Sequence, residues 1–193
     1  MSMVILVSGG LDSTLVAKLA QEEGIDLFPL FINYGQRAHA RELAACRNAM
    51  KVLGLPPPQI ADLAGYGQLI RSGLTDHTQR ILEDAFTPGR NMLFILTAAA
   101  YAYQIGADAV SIGLLNEASS IFPDQTTEFI QNSEKMIAMC MGKKIRLLTP
   151  LSAFHKRDVV ALAIEKGIDN TYSCHLGTAE PCGACIAFNE FKF

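Results

Sequence analysis

Met3-Val4-Ile5-Leu6-Val7-Ser8-Gly9-Gly10-Leu11-Asp12-Ser13 joins an apolar run to a short polar loop and then to a helical pattern. Five consecutive apolar residues predict a strand covered on both faces, and residues 13–23 carry the spacing of a helix. Between them, Gly9 and Gly10 can adopt φ > 0 and bring backbone N–H groups close to an oxyanion. Ser8 and Ser13 add hydroxyl donors at the positive end of the helix that follows. The loop therefore predicts a phosphate cradle. Its spacing is not Gly-x-x-x-x-Gly-Lys-Ser/Thr and no lysine follows the glycines, which disfavours a kinase-like arrangement.

Outward from this loop the same alternation continues. Apolar runs at 27–33, 59–62, 109–113 and 145–148 predict strands, and helical patterns lie at 38–53, 92–104, 126–141 and 155–166. Strands alternating with helices predict an α/β fold, a doubly wound parallel sheet whose ligands bind at the carboxyl ends of the strands. Residues 63–90 lose periodicity and gain glycines, which predicts a surface excursion, a lid or an oligomer contact.

At 193 residues the expectation is a single domain over 1–193, ending in a metal-binding tail over 171–193. Half the residues are hydrophobic and 18% are charged, which excludes a disordered chain. A net charge of −3, with no basic run interleaved with aromatics, argues against direct nucleic-acid binding. The apolar runs are too short for a membrane span or a signal peptide, so the expected compartment is the cytoplasm. Of five cysteines, Cys174, Cys182 and Cys185 crowd the C-terminus, a grouping that in a cytosolic chain points to metal. Cys46 and Cys140 lie in helical patterns and read as core residues.

Ser8-Gly9-Gly10-Leu11-Asp12-Ser13 resembles the Ser-Gly-Gly-x-Asp-Ser signature of the ATP pyrophosphatases. Four further segments follow in order: Tyr34-Gly35-Gln36-Arg37, Pro88-Gly89-Arg90-Asn91, Phe122-Pro123-Asp124, and Cys174 with Cys182-Gly183-x-Cys185. Together these resemble the 7-cyano-7-deazaguanine synthase family of the queuosine pathway, from end to end. The resemblance implies a fold of the adenine nucleotide alpha hydrolase type. It also implies a carbon-nitrogen ligase that adenylates a small-molecule carboxylate, 7-carboxy-7-deazaguanine, with ATP. Ammonia then displaces AMP to give an amide, and a second ATP dehydrates the amide to the nitrile. Val7, Ser8, Gly9, Gly10, Leu11, Asp12, Ser13, Thr14, Gln36 and Arg37 are the implied ATP ligands. Asp12, Arg90 and Lys156 are the implied catalytic groups, with Asp12 a candidate for Mg²⁺. Asn91, Ser120, Phe122 and Asp124 are implied on the substrate, although Asn91 reads equally as a helix cap. Cys174, Cys182 and Cys185 are implied ligands of a structural Zn²⁺, and the implied assembly is a homodimer.

The chain departs from the family pattern twice. The fourth cysteine slot holds Phe188, which leaves His175 or another group to complete a zinc site. Where the family carries Asp-(Phe/Tyr)-Ser-Gly-Tyr-Pro-Asp-Cys-Arg, this chain has Ala118-Ser119-Ser120-Ile121-Phe122-Pro123-Asp124-Gln125-Thr126. That change leaves open a relative that activates a different carboxylate or joins a deazapurine to a protein acceptor. The RNA-thiolating ATP pyrophosphatases and a non-catalytic nucleotide-binding module are the remaining alternatives.

Overall fold

Each predicted strand and helix forms, with ends shifted by no more than two residues. A computed structural model describes residues 1–189, the side chain of Ser119 excepted, so the last four residues of the expected tail lie outside the described residues. The elements run β1 (Ser2–Leu6), α1 (Leu11–Glu22), β2 (Asp26–Asn33), α2 (His39–Val52), β3 (Gln59–Asp62) and α3 (Ala64–Leu69). They continue with α4 (Arg90–Ile105), β4 (Ala109–Ser111), α5 (Thr127–Met141), β5 (Arg146–Leu148), α6 (Lys156–Glu165) and α7 (Ile186–Asn189).

The five strands form one parallel sheet in the order β3-β2-β1-β4-β5, with Val4 opposite Phe28 on one side and Val110 on the other. The pleat of β1 divides the core. Met3 and Ile5 turn to the face covered by Leu15 of α1, Met50 of α2 and Val159 of α6. Val4 and Leu6 turn to the face covered by Ile95 of α4 and Ile137 of α5. Each such side chain, fully buried, contributes roughly 1.5–3 kcal/mol. Helices on both faces explain why the strands read as continuous apolar runs. From β1 the chain builds outward to β2 and β3, then crosses back to β4 and β5 on the other side. The carboxyl ends of β1 and β4 therefore flank the crevice at the topological switch point.

Two expectations change here. Cys46 is buried, but Cys140 is exposed on α5, because helical spacing alone does not say which face meets the core. The 63–90 excursion is built rather than structureless. It contains α3, a 2.7 Å contact between the Ser72 and Thr87 hydroxyls, and a 2.6 Å hydrogen bond from Gly73 N–H to the Asp84 carbonyl. Leu74 and Ala85 of the excursion are themselves buried.

Candidate active site

Two adjoining cavities, of about 260 and 190 Å³, open at the switch point, and Ser8, Asp12, Ser13, Glu42, Arg90 and His175 belong to the walls of both. The larger runs along the strand ends between Phe31, Tyr34, Phe94 and Ile112, an apolar slot with polar rims. The smaller lies over the start of α1 and is walled by Gly10, Lys156, Phe122 and Tyr172.

The two glycines of the loop do different work. Gly9 has φ +82°, and a Cβ there would lie 2.5 Å from the Cys46 nitrogen and 2.7 Å from the Glu42 carbonyl oxygen. Its demand comes from the packing of α2, and it lies behind the walls of both cavities. Gly10 does face the smaller cavity, where a Cβ would meet Ser8 Oγ at 3.3 Å and Ser173 Oγ at 3.7 Å. Gly10 also caps α1 without a side-chain bond, leaving the first-turn N–H groups toward the cavity. Ser8 and Ser13 stand with hydroxyls 3.2 Å apart. This cradle, which a Cβ at Gly10 would narrow, fits an oxyanion.

Lys156, at the first position of α6, places Nζ 2.8 and 2.9 Å from the two oxygens of Asp12 in the first turn of α1. Residues 144 apart are thus joined across the cavity floor. Arg90 lies over the rings of Tyr34 and Phe94 at 5.8 and 5.9 Å, which holds the guanidinium at the cavity wall without neutralising it. His175 stands beside these cations as a neutral imidazole. Burial, then Arg90 and Lys156, hold its pKa down at about 4, and its Nδ1 is buried with no hydrogen-bond partner. An orphaned polar atom beside two cations fits an anionic ligand in the space they surround. Burial pushes the Tyr34 phenol up to about 12, against the nearby Arg90.

Several expected ligands turn elsewhere. Thr14 is buried and gives its hydroxyl to the Gly10 carbonyl at 2.8 Å. Gln36 reaches the larger cavity, but Arg37 lines neither; its Nη1 donates to the Gly73 carbonyl at 3.0 Å and braces the excursion. Asp124 also lines neither cavity and accepts from the Asn91 N–H at 3.3 Å, at the start of α4. Asn91 is not the cap of α4: Gly89 holds that position, and the Asn91 side chain donates to the Asp124 carbonyl at 2.9 Å while bordering the larger cavity. Ser120 borders a third cavity of about 70 Å³, together with Asp12 and Gly113. Phe122 walls the smaller main cavity and tilts against Phe86 at 5.1 Å.

In the tail, the sulfurs of Cys174, Cys182 and Cys185 lie within 4.8 Å of one another, close to the ~3.8 Å spacing that ~2.3 Å metal–sulfur bonds impose in a tetrahedral site. Burial raises the Cys174 thiol, but hydrogen bonds from Thr178 and from backbone N–H groups outweigh it and bring the pKa to about 7. The cluster can hold a metal ion. His175 does not join it among the described residues: Cys174 turns its sulfur to the cluster, whereas His175, next in the chain, faces the cavities. Phe188, in the fourth slot, packs on the cluster as an apolar side chain.

A family model described as queuosine biosynthesis protein QueC matches residues 2–190. The chain belongs to the QueC family. Its QueC-family relatives include the 7-cyano-7-deazaguanine synthases of Nautilia profundicola, 37% identical, and of a Sulfurovum species, 36% identical. Each alignment covers 94% of this chain and 87% of the relative. Solved structures with the same fold include an NMN synthetase from Francisella tularensis, with a TM-score of 0.58 and 17% identity over 94% of this chain and 70% of that one. A 4-thiouridine synthetase in complex with RNA and ATP gives 0.57 and 19% over 98% of this chain and 45% of that one. The ATP pyrophosphatase fold expected from the loop is therefore shown.

Three wall residues of this QueC-family site carry no motif signal for that place, His175 having been expected only as a metal ligand. Glu42 follows the Gln-Arg pair by five residues on α2, His175 hides beside a presumed metal ligand, and Gln125 sits in the altered segment. Gln125 borders both main cavities and its Oε1 accepts the Ile121 and Phe122 N–H groups at 2.8 and 2.9 Å. A carboxylate in the body of α2, outside every quoted segment, gives no local signal, although the helical pattern of α2 does put Glu42 and Cys46 on one stripe.

Proposed function

We propose that the chain converts 7-carboxy-7-deazaguanine to 7-cyano-7-deazaguanine with ATP and ammonia, releasing AMP and pyrophosphate. The observation that carries this is the QueC-family match over residues 2–190. A carboxylate is a poor electrophile, and transfer to AMP replaces its oxide with a leaving group of low basicity, so no protein nucleophile is needed. The protein's task is to position two substrates and to stabilise charge on the departing pyrophosphate.

Adenosine would occupy the slot between Tyr34, Phe94 and the strand ends, and the triphosphate would lie over Ser8, Gly10, Leu11 and Ser13. Arg90 and His175 would meet the anionic groups between the two cavities, and the heterocycle would pack near Phe122 and Tyr172. The oxygen donors at this point suit a hard cation, so Mg²⁺ would be held by the phosphates with Asp12 as protein carboxylate. When bound, Mg²⁺ neutralises charge on the phosphates. Asp12 fixes the Lys156 ammonium at the same point.

We place a structural Zn²⁺ on Cys174, Cys182 and Cys185, in a single-domain protein over 1–193 with a tail over 171–193. A cytoplasmic setting accords with five cysteines free of disulfides, and no described helix is long and apolar enough to cross a membrane. A homodimer accords with exposed Leu96 and Tyr103 on α4 and Met136 and Met139 on α5; sedimentation that gives a monomer overturns it. Purified protein should carry about one zinc per chain, and chelation should lower its melting temperature by several degrees, because metal binding is linked to folding of the tail. Metal-free protein with the same melting temperature removes the zinc site.

Incubation with ATP, ammonia and the acid, followed by mass spectrometry, tests the main reading: AMP and the nitrile are expected, and ADP alone overturns it. One observation favours a second reading. The cavity is walled by Ile121, Phe122 and Gln125 where the family pattern has glycine, tyrosine and cysteine, and the aspartate and arginine that end the pattern on either side are Ala118 and Thr126 here. A site missing polar partners discriminates poorly against analogues. Calorimetry decides: ATP binding without binding of the free acid favours a different carboxylate or a protein acceptor.

A further inference from the structure

Glu42 has no part in the scheme above, yet it lines both cavities. The side chain is aimed by a locked amide. Gln36 Oε1 accepts the Tyr34 N–H at 2.9 Å, so its Nε2 is the donor end, and it gives to the Ile32 carbonyl at 3.2 Å and to Glu42 Oε2 at 3.0 Å. One carboxylate oxygen is thereby fixed. Among the described residues no hydrogen bond reaches the other. Asp12, the other carboxylate on these walls, has both oxygens on Lys156. The cavity thus offers one oriented carboxylate oxygen that is not already committed to a cation.

The groups facing Glu42 are Tyr34 and Gln36 beyond β2, Cys46 on its own helix, Arg90 of α4 and Tyr172 of the tail. Burial raises its carboxyl above the ordinary value, against the Gln36 hydrogen bond and Arg90. That direction makes it a better proton acceptor than a solvated glutamate.

The proposed reaction needs such an acceptor after each activation. In the first half, the lone pair of ammonia forms a C–N bond with the acyl carbon, and the C–O bond breaks with its electron pair leaving on AMP. A proton must depart from nitrogen to give the neutral amide. In the second half, the amide oxygen attacks the α-phosphorus of a second ATP and pyrophosphate leaves. Two protons are then lost from nitrogen as the C–O bond breaks to AMP and the nitrile forms. We infer that Glu42 is the base that takes protons from the reacting nitrogen, and that Gln36 is a positioning residue that holds it. This rests on the carboxylate-activation reading.

The test separates adenylation from the nitrogen steps. Acid-dependent exchange of labelled pyrophosphate into ATP reports adenylation alone and is expected to stay within twofold in Glu42→Gln. Nitrile formation from ammonia should fall about a hundredfold or more, within the range of general base catalysis. Hydroxylamine attacks acyl adenylates without help from a base, so hydroxamate formation should remain near the parent rate. Glu42→Asp, which keeps a carboxylate, should recover at least a tenth of the parent nitrile rate. Equal loss of exchange and nitrile formation in Glu42→Gln, or parent-like nitrile formation, overturns the role. An absence of acid-dependent exchange in the parent protein removes the activation reading and the inference with it.

Discussion

Asp12→Asn is expected to lower AMP formation by about a hundredfold or more while the protein stays folded. The amide keeps the size of the carboxylate but loses the charge that holds Lys156 Nζ through two contacts of 2.8 and 2.9 Å. It also removes the carboxylate available to a hard cation at the phosphates. A hundredfold corresponds to about 2.7 kcal/mol of transition-state stabilisation. Asp12 and Lys156 side chains are 27% and 11% exposed, so the pair is only partly screened and losing it costs folding stability on the order of 1–2 kcal/mol. The loss should therefore appear in kcat with a melting temperature shifted by only a few degrees. Turnover at the parent level in a variant that binds ATP normally would take Asp12 out of the chemistry.

The second large effect is a division between neighbouring glycines. Gly9→Ala should destabilise the fold by about 2–5 kcal/mol. It places a side chain at φ +82°, and its Cβ meets the α2 backbone 2.5 Å away, where no flexible atom can yield. Gly10→Ala has ordinary backbone angles and meets only hydroxyl oxygens at 3.3 and 3.7 Å among side chains. It should fold almost as well but bind ATP at least tenfold more weakly, because the methyl enters the cradle. Chemical denaturation and nucleotide calorimetry on both variants check this; equal stability of the two would refute the packing role of Gly9.

The fold was legible because its strands are buried on both faces and so write themselves as uninterrupted apolar runs such as Val4-Ile5-Leu6. Helix α3 was not, because Gly65 and Gly67 argue against a helix, and tertiary contact overrides them: a Cβ on Gly67 would lie 2.4 Å from the Tyr34 carbonyl. Helix α7 spans only Ile186–Asn189, too short for periodicity to register. In the candidate site, the loop of Ser8 to Ser13 was legible because its parts are adjacent in sequence. Glu42, Gln125 and His175 arrive from α2, the β4–α5 connection and the tail, a juxtaposition that only topology creates. Arg37 and Asp124 belong to recognisable segments, yet the hydrogen bonds they make here run to backbone.

Cys174 and His175 share a peptide bond yet serve two compartments of the molecule, one sulfur in the cysteine cluster and one imidazole on the cavity wall. Whatever seats the first residue sets the register of the second. A chelator at low concentration should accordingly behave as an inhibitor before it behaves as a denaturant, with weakened grip on an anionic ligand as its earliest sign. A metal ion held by the three cysteines would in this way steady a wall of a cavity that it never enters.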